Sequence, residues 1–282
     1  MKSSPLISPE EAQALLRRPD ARVVDASWFL PAEGRSGRAE FEAERLPGAV
    51  FFDIDAISDA SSDLPHMLPA PEDFAIAAGA LGLAPEASVV VYDSFGVRSA
   101  ARAWWTLKVM GYPRVRVLDG GLRAWKAAGL PLETGPALPP AAAQATVAFN
   151  PERVRNLAGV ASALAHRSAQ VVDARSAARF RGEAPEPRPG LRSGHMPGAL
   201  NLPFDRLLTP EGTLKPPAGL AAEFVAAGVD PRQPVITTCG SGVTASVLAL
   251  ALEVLGYPAA VYDGSWAEWG GPGGGDVVTG DA

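Results

Sequence analysis

Residues 234–258, PVITTCGSGVTASVLALALEVLGYP, combine a short apolar run, a loop with two glycines and a long helical pattern. The helical pattern stops at Gly256 and Pro258, which is typical of a helix C-terminus. A strand followed directly by a helix is the building unit of a parallel sheet, because parallel strands need crossover connections. The stretch therefore predicts an α/β fold, and it places Cys239, the chain's only cysteine, in the loop between strand and helix.

The same unit occurs earlier in the chain, at residues 87–113, ASVVVYDSFGVRSAARAWWTLKVMGYP. Three further pairs of short motifs recur in the same order, at offsets of 144 to 150 residues. One duplicated unit explains this order better than chance, so we predict two copies of one α/β domain. The three pairs are VVDAS at 23–27 and VVDAR at 171–175, RLPGAVFFD at 45–53 and HMPGALNLPFD at 195–205, and LDGG at 118–121 and YDGS at 262–265.

The length of 282 residues fits two domains, since a typical domain has roughly 100 to 200 residues. Residues 136–149 are rich in proline and alanine and show neither a helical nor a strand period, which is typical of a linker. We therefore predict a first domain over 1–135 without a cysteine, a linker over 136–149, and a second domain with Cys239 over 150–282. Each domain is expected to hold a central, mainly parallel sheet flanked by helices.

Composition excludes several classes of function. The net charge of −6 is spread along the chain without a basic stripe, so nucleic acid is not an expected partner. No apolar run approaches the roughly 20 residues of a membrane span, and the N-terminal residues lack the apolar core of a signal peptide. We therefore expect no membrane partner and a cytoplasmic location. A single cysteine also excludes an internal disulfide and a cysteine-ligated zinc cluster.

The loop around Cys239 has the features of an anion site. Gly240 and Gly242 allow the backbone to turn so that several N–H groups converge beside the thiol. Together with the positive end of the following helix, these donors stabilise a thiolate or a charged sulfur species. The equivalent position of the first copy is Ser94, so only one copy keeps a thiol. This asymmetry favours catalysis by Cys239 over the plain alternative of a buried packing cysteine.

Two other cysteine chemistries fit the loop poorly. A phosphatase of this type needs an arginine six positions after the cysteine to bind phosphate, and that position is Ala245. A cysteine protease needs a histidine base, and the chain has only His66, His166 and His195.

The motifs FFDIDAISDASSDLPHMLP, LDGGLRAW, ARFRGEAPEPRPGLRSGHMPGALNLPF, CGSGVTA and YDGSWAEW cover nearly the whole chain. In these motifs the chain resembles the two-domain rhodanese superfamily of sulfurtransferases. The resemblance implies two rhodanese-like domains and no metal or organic cofactor. The CGSGVTA loop is similar to that of relatives that use 3-mercaptopyruvate. Relatives that prefer thiosulfate carry cationic residues directly after the cysteine, where this chain has Gly240 and Ser241.

The resemblance also implies the site residues. Arginines are suited to bind the substrate carboxylate because their planar fork matches it, and the matching positions are Arg179 and Arg188. For proton transfer the family is proposed to combine a loop serine with a histidine and an aspartate, in a general acid–base relay. The positions predicted for the whole site are Cys239, Ser241, His66 and Asp55 for catalysis, and Arg179, Arg188, Gly240, Gly242, Val243 and Thr244 for substrate binding.

The predicted function is sulfur transfer from 3-mercaptopyruvate through a persulfide on Cys239, with release of pyruvate. A thiol such as thioredoxin, or cyanide, is the expected acceptor. Two alternatives remain open: the same fold with thiosulfate as donor, and a non-catalytic rhodanese-like binding module. We expect His195 to belong to the turn architecture, because its first-copy counterpart is Arg45, and we expect Trp266 and Trp269 to pack in the core. The role of Arg98 in the first-copy loop is left open.

Overall fold

The computed structural model describes residues 4–281, so the outermost residues of the two predicted domains lie outside the described residues. The described chain separates into two compact units. The first unit contains the residues up to Ala60, together with Leu68–Asn150 and Thr209–Leu214. The second contains Ser61–Met67, Pro151–Leu208 and the residues from Lys215 onward. Each unit therefore includes one short segment from the other half of the chain, which nothing in the sequence repeat indicates. The predicted domain limits themselves stay a prediction.

The first unit is built on a parallel sheet of five strands within the described residues, in the order β1-β5-β4-β2-β3. Helices connect the strands, as a parallel sheet requires. Its strands are β1 (Leu6–Ile7), β2 (Ala21–Asp25), β3 (Val50–Phe51), β4 (Ser88–Tyr92) and β5 (Val115–Leu118), and its helices are α1 (Pro9–Leu15), α2 (Gly37–Ala43), α3 (Pro71–Ala80), α4 (Ala100–Val109) and α5 (Gly121–Ala127).

The second unit repeats this architecture with the strand order β6-β10-β9-β7-β8, counted over the described part of the chain. The two orders correspond strand by strand, so the predicted duplication and the α/β fold class are confirmed. Its strands are β6 (Val154–Arg155), β7 (Gln170–Asp173), β8 (Leu200–Asn201), β9 (Val235–Thr238) and β10 (Ala260–Tyr262), and its helices are α6 (Leu157–His166), α7 (Ala177–Phe180), α8 (Pro217–Ala226), α9 (Ala245–Val254) and α10 (Ser265–Trp269).

The middle strands of each sheet and the helices that follow them form the interior. All residues of β4 and all residues of β9 are buried, as expected for central parallel strands that are covered on both faces. Almost every residue of α4 and α9 is buried as well, so these two helices belong to the interior of their units and not to the surface. The helix residues stop just before Gly111 and Gly256, whose φ angles are +92° and +87°. These glycines provide the left-handed turn that ends a helix, as predicted.

Residues 136–149 form no helix or strand. They run along the first unit and bond to the ends of its helices, where Ala143 N–H donates to the Gly79 carbonyl at 2.9 Å and Ala148 N–H donates to the Met110 carbonyl at 3.2 Å. In the described part of the chain, no helix is both long and apolar enough to cross a lipid bilayer.

Candidate active site

The loop that joins β9 to α9 holds Cys239 at the carboxyl end of the central strand. The cysteine is 2% exposed. Its backbone is fixed by the start of α10, because its N–H donates to Ser265 Oγ at 3.3 Å and its carbonyl accepts from Trp266 N–H at 2.9 Å. Gly242 has a φ of +77°, which a residue with a side chain rarely adopts. The thiol is therefore held in a rigid turn, and the turn itself depends on a glycine.

The N–H groups of this loop are left for a ligand. Among residues 4–281, no acceptor is bonded to the N–H groups of 240–244. These groups lie at the N-terminus of α9, a ten-residue helix whose dipole adds positive potential. Val243 and Thr244, which the sequence predicts for substrate binding, contribute to this set of donors. The arrangement suits an anion carried by the Cys239 sulfur or bound next to it.

His66 and Ser241 are in contact. His66 Nδ1 lies 3.0 Å from Ser241 Oγ, and both side chains are buried. His66 belongs to the segment Ser61–Met67 of the second unit. Its φ of +62° lies in the left-handed region, which is uncommon for a residue with a side chain. Such backbone strain is frequent at functional sites, where surrounding contacts hold it. The histidine and the loop serine that the sequence predicts as a pair therefore form one hydrogen-bonded unit.

Two guanidinium groups lie against the residue after the cysteine. A Cβ atom placed on Gly240 would be 3.2 Å from Arg179 Nη2 and 3.9 Å from Arg188 Nη1. The absence of a side chain at Gly240 thus gives both arginines access to the loop beside Cys239. The two arginines predicted to bind a carboxylate are brought together at one point, next to the predicted nucleophile.

Glu186 is a member of this site that the sequence reasoning missed. Its carboxylate accepts from Arg179 Nε at 3.2 Å and, through its other oxygen, from Arg179 Nη2. It also accepts from Arg175 Nη1 at 2.7 Å. The available signal was the position of this acid between the two arginines in ARFRGEAPEPR. Its burial, however, depends on the conformation of a loop that has no periodic pattern.

Arg175, which the sequence analysis did not include in the site, is fully buried beneath it. Its Nη2 donates to Asp173 at 2.6 Å, and its guanidinium lies 4.0 Å from the ring centre of Trp266. Burial alone would lower the pKa of Arg175, but Asp173 and Glu186 raise it above its ordinary value. The side chain is therefore a permanent cation that supports the site from below.

Asp55 lies in the first unit and is exposed. Its carboxylate oxygens accept from Trp28 Nε1, each at 3.0 Å. Trp28 is therefore a partner of Asp55 that sequence reasoning did not predict. The catalytic role of Asp55 stays a prediction.

In the equivalent loop of the first unit, between β4 and α4, four N–H groups are bonded to a carboxylate of the loop itself and are not available to an external anion. Asp93 Oδ1 accepts from the N–H groups of Phe95 and Gly96, and Oδ2 accepts from those of Arg98 and Ala100, at 2.8 to 2.9 Å. Arg98 itself donates to Glu33 at 3.0 Å. The guanidinium of Arg98, whose role the sequence left open, is thus tied to a carboxylate of its own unit.

The remaining predictions concern residues that support the structure. His195 Nδ1 is bonded to the Phe180 carbonyl at 2.9 Å, and its ring stacks on that of Phe180. Its backbone pairs with Val278, as Arg45 pairs with Glu133 in the first unit. His195 therefore belongs to a turn that both copies keep, as expected. Trp266 and Trp269 lie in the apolar core of the second unit, also as expected.

The domain family described as "Rhodanese-like domain" matches residues 8–128 and 156–271. The chain belongs to the rhodanese family. Among its rhodanese relatives is the 3-mercaptopyruvate sulfurtransferase of Escherichia coli K12, which is 47% identical over 254 residues, 89% of this chain and 90% of the relative. The human 3-mercaptopyruvate sulfurtransferase is 44% identical over 94% of this chain and 91% of its own length. The crystal structure of the Escherichia coli 3-mercaptopyruvate sulfotransferase SseA matches with a TM-score of 0.86 at 42% identity, over 94% of this chain and 100% of that one.

Proposed function

We propose that this rhodanese family member is a 3-mercaptopyruvate sulfurtransferase that carries sulfur as a persulfide on Cys239. The observation that supports this most directly is the position of Arg179 and Arg188 against Gly240, immediately after the cysteine. A pair of guanidinium groups suits the carboxylate of a 2-keto acid. The curated relatives named for this activity share the chain over most of its length.

In the first half-reaction, the Cys239 thiolate attacks the thiol sulfur of 3-mercaptopyruvate. A sulfur–sulfur bond forms and the carbon–sulfur bond breaks, so that pyruvate leaves as its enolate. The enolate takes up one proton and becomes pyruvate. Arg179 and Arg188 hold the carboxylate throughout, while the free N–H groups of the loop stabilise the sulfur anion.

The proton transfers are assigned to the pair of Ser241 and His66. The contact of 3.0 Å between His66 Nδ1 and Ser241 Oγ lets the imidazole exchange a proton through the hydroxyl. Asp55 is proposed to complete this relay. In the second half-reaction an acceptor thiol, such as that of thioredoxin, or cyanide attacks the outer sulfur and restores the Cys239 thiolate. Separate half-reactions of this kind give ping-pong kinetics. The cytoplasmic location expected from the sequence stays a prediction.

Thiosulfate is the second candidate donor. An Arabidopsis thaliana relative that is 42% identical over 95% of this chain is named for both thiosulfate and 3-mercaptopyruvate. Gly240 and Ser241 supply no positive charge directly after the cysteine, and a dianionic donor would benefit from such charge. This favours 3-mercaptopyruvate as the preferred donor.

The deciding experiment compares kcat/KM for the two donors and follows the protein by intact mass. We expect 3-mercaptopyruvate to be preferred, and we expect the protein to gain one sulfur atom that the Cys239→Ser variant does not gain. A preference for thiosulfate would contradict the donor assignment. A protein that gains no sulfur from either donor would instead be a binding module.

A further inference from the structure

Four charged side chains form a cluster below the loop: Asp173, Arg175, Arg179 and Glu186. Arg175 donates through Nε and Nη2 to Asp173 and through Nη1 to Glu186. Glu186 in turn accepts from Nε and Nη2 of Arg179. The side chains of Asp173 and Glu186 are 2% and 1% exposed, whereas that of Arg179 is 23% exposed. Within the cluster, two positive charges are balanced by two negative ones, and only Arg179 reaches the surface of the site.

Glu186 orients the Arg179 guanidinium and offsets its positive charge. One edge of the guanidinium, formed by Nε and Nη2, is bound to the carboxylate. Among residues 4–281, no acceptor is bonded to Arg179 Nη1. This group is therefore available to donate to the carboxylate of the sulfur-donor substrate. Arg179 Nη2 would lie 3.2 Å from a Cβ atom placed on Gly240. The carboxylate of Glu186, which is bonded to this same Nη2, therefore acts close to the predicted substrate position.

We propose that Glu186 is a positioning residue that determines donor specificity, by reducing the positive potential that Arg179 presents at Cys239. This rests on the proposed function and deepens it. A donor with one carboxylate can be held by Arg179 and Arg188 together and tolerates the balancing acid. Thiosulfate carries two negative charges, so a nearby fixed carboxylate repels it twice as strongly as it repels a monoanion. Glu186 thus discriminates against the wrong donor by repulsion, a common source of specificity.

Replacing the carboxylate by its neutral isostere tests the charge. We expect Glu186→Gln to raise the ratio of kcat/KM for thiosulfate to kcat/KM for 3-mercaptopyruvate on the order of tenfold. The thiosulfate reaction of the variant should also fall more steeply with rising ionic strength. A residue that only supports the fold would change both donors alike and would not alter the salt dependence.

The same segment provides a matched control. Glu183 pairs with Arg181 at the surface, where its side chain is 56% exposed. Glu183→Gln makes the same formal change of charge only a few residues away, and water screens an exposed pair of this kind. We expect this variant to keep the donor ratio of the wild-type protein.

Three results would overturn the inference. The first is an unchanged donor ratio in Glu186→Gln. The second concerns Glu186→Asp, which keeps the charge but shortens the side chain. This variant should raise KM for 3-mercaptopyruvate and leave the donor ratio close to that of the wild-type protein. A change in the donor ratio as large as that of Glu186→Gln would contradict a role of charge.

The third result uses the wild-type protein and applies even if Glu186→Gln does not fold. Pyruvate, a monoanion, should compete with 3-mercaptopyruvate more tightly than sulfate, a dianion, and the reverse order would contradict the inference. Failure of the proposed function is visible separately, because the wild-type protein would then take up no sulfur from 3-mercaptopyruvate.

Discussion

The loops at residues 93–100 and 238–245 connect equivalent strands and helices, yet they differ in what fills them. In the first unit the carboxylate of Asp93 is bonded to four N–H groups of its own loop. The equivalent residue of the second unit is Thr238, whose buried Oγ1 has no partner among the described residues. The second loop therefore keeps its N–H groups for an external anion. The two copies therefore differ at this loop by more than the exchange of a cysteine for Ser94.

A second difference lies at the ends of β2 and β7, in the VVDAS and VVDAR motifs. In the second unit, Asp173 is paired with Arg175. In the first unit the equivalent acid is Asp25, and Ser27 stands in place of the arginine. Asp25 accepts from the N–H of Ser27 at 2.8 Å. Burial, assisted by the nearby Asp93, raises the pKa of Asp25 to about 6. Among the described residues of the first unit, this buried acid is paired with no cation, whereas the second unit has the ion pair of Asp173 and Arg175 below its site.

The largest expected effect comes from giving the second loop the acid of the first. In Thr238→Asp the new carboxylate would accept from the N–H groups of the loop, as Asp93 does, and would exclude a sulfur anion. Loss of one such donor costs an enzyme about 100- to 1,000-fold, so pyruvate release should fall by more than about 1,000-fold when several are occupied. The measurement is kcat/KM for 3-mercaptopyruvate. Thr238→Val replaces the threonine by an uncharged side chain of similar shape and should retain most of the activity. A loss of kcat/KM in this variant as large as that of Thr238→Asp would contradict the role assigned to the loop N–H groups.

The reverse change weakens the first unit. Asp93→Asn leaves one oxygen to accept and places an amide donor against N–H groups, so we expect a loss of about 3 kcal/mol in the free energy of unfolding. The measurement is the urea midpoint. Asp230→Asn is the matched control, because Asp230 accepts in the same way from the N–H of Arg232 in an exposed turn. This control variant should lower the free energy of unfolding much less than Asp93→Asn does. Equal losses in the two variants would show that the filled loop is not a special source of stability.

The two buried aspartates should respond differently to replacement by asparagine. A carboxyl group with a raised pKa binds its proton more tightly in the folded state, so its contribution to stability is present below about pH 4 and is lost as pH rises through 6. Asp25→Asn should therefore become more stable than the wild-type protein as pH rises, by on the order of 2 kcal/mol above pH 7. Urea unfolding between pH 4 and 8 measures this difference, and a difference that does not vary with pH would contradict it. Asp173→Asn, in contrast, should destabilise the protein at pH 7, because Arg175 loses one of its two charged partners and keeps only Glu186.

The smallest effect is expected at Gly240. In Gly240→Ala the new methyl group would lie 3.2 Å from Arg179 Nη2, and the flexible end of the arginine can move away. KM for 3-mercaptopyruvate should rise by several-fold with little change in kcat, since carboxylate binding is affected and the cysteine is not. Gly219→Ala, in helix α8, should leave both constants unchanged. A fall in kcat at constant KM would argue against a role of Gly240 in access for the arginines.

Much of this architecture can be predicted from the sequence, because duplication and periodicity are local patterns. The repeated motifs predict the fold class, and the strand, loop and helix around Cys239 lie where the pattern places them. The contact between Ser241 and His66 agrees with the grouping that the family resemblance implies, although the roles of these residues stay predictions.

What the sequence did not predict depends on how irregular segments fold. The burial of Glu186, the bonds of Asp93 to its loop and the partner of Asp55 all involve turns in which hydrogen-bond partners follow no period. The same holds for the segments 61–67 and 209–214, each of which belongs to the unit formed mainly by the other half of the chain. Contacts of this kind require coordinates, because no spacing in the sequence specifies them.

The central claim is that the free N–H groups around Cys239, and not the thiol alone, allow the protein to carry sulfur. The most direct test is intact mass spectrometry of the wild-type protein and Thr238→Asp after incubation with 3-mercaptopyruvate, with the free thiol of each counted by a thiol reagent after unfolding. We predict one added sulfur atom on the wild-type protein and none on Thr238→Asp, although both contain Cys239. Equal uptake of sulfur by the two proteins would contradict the claim.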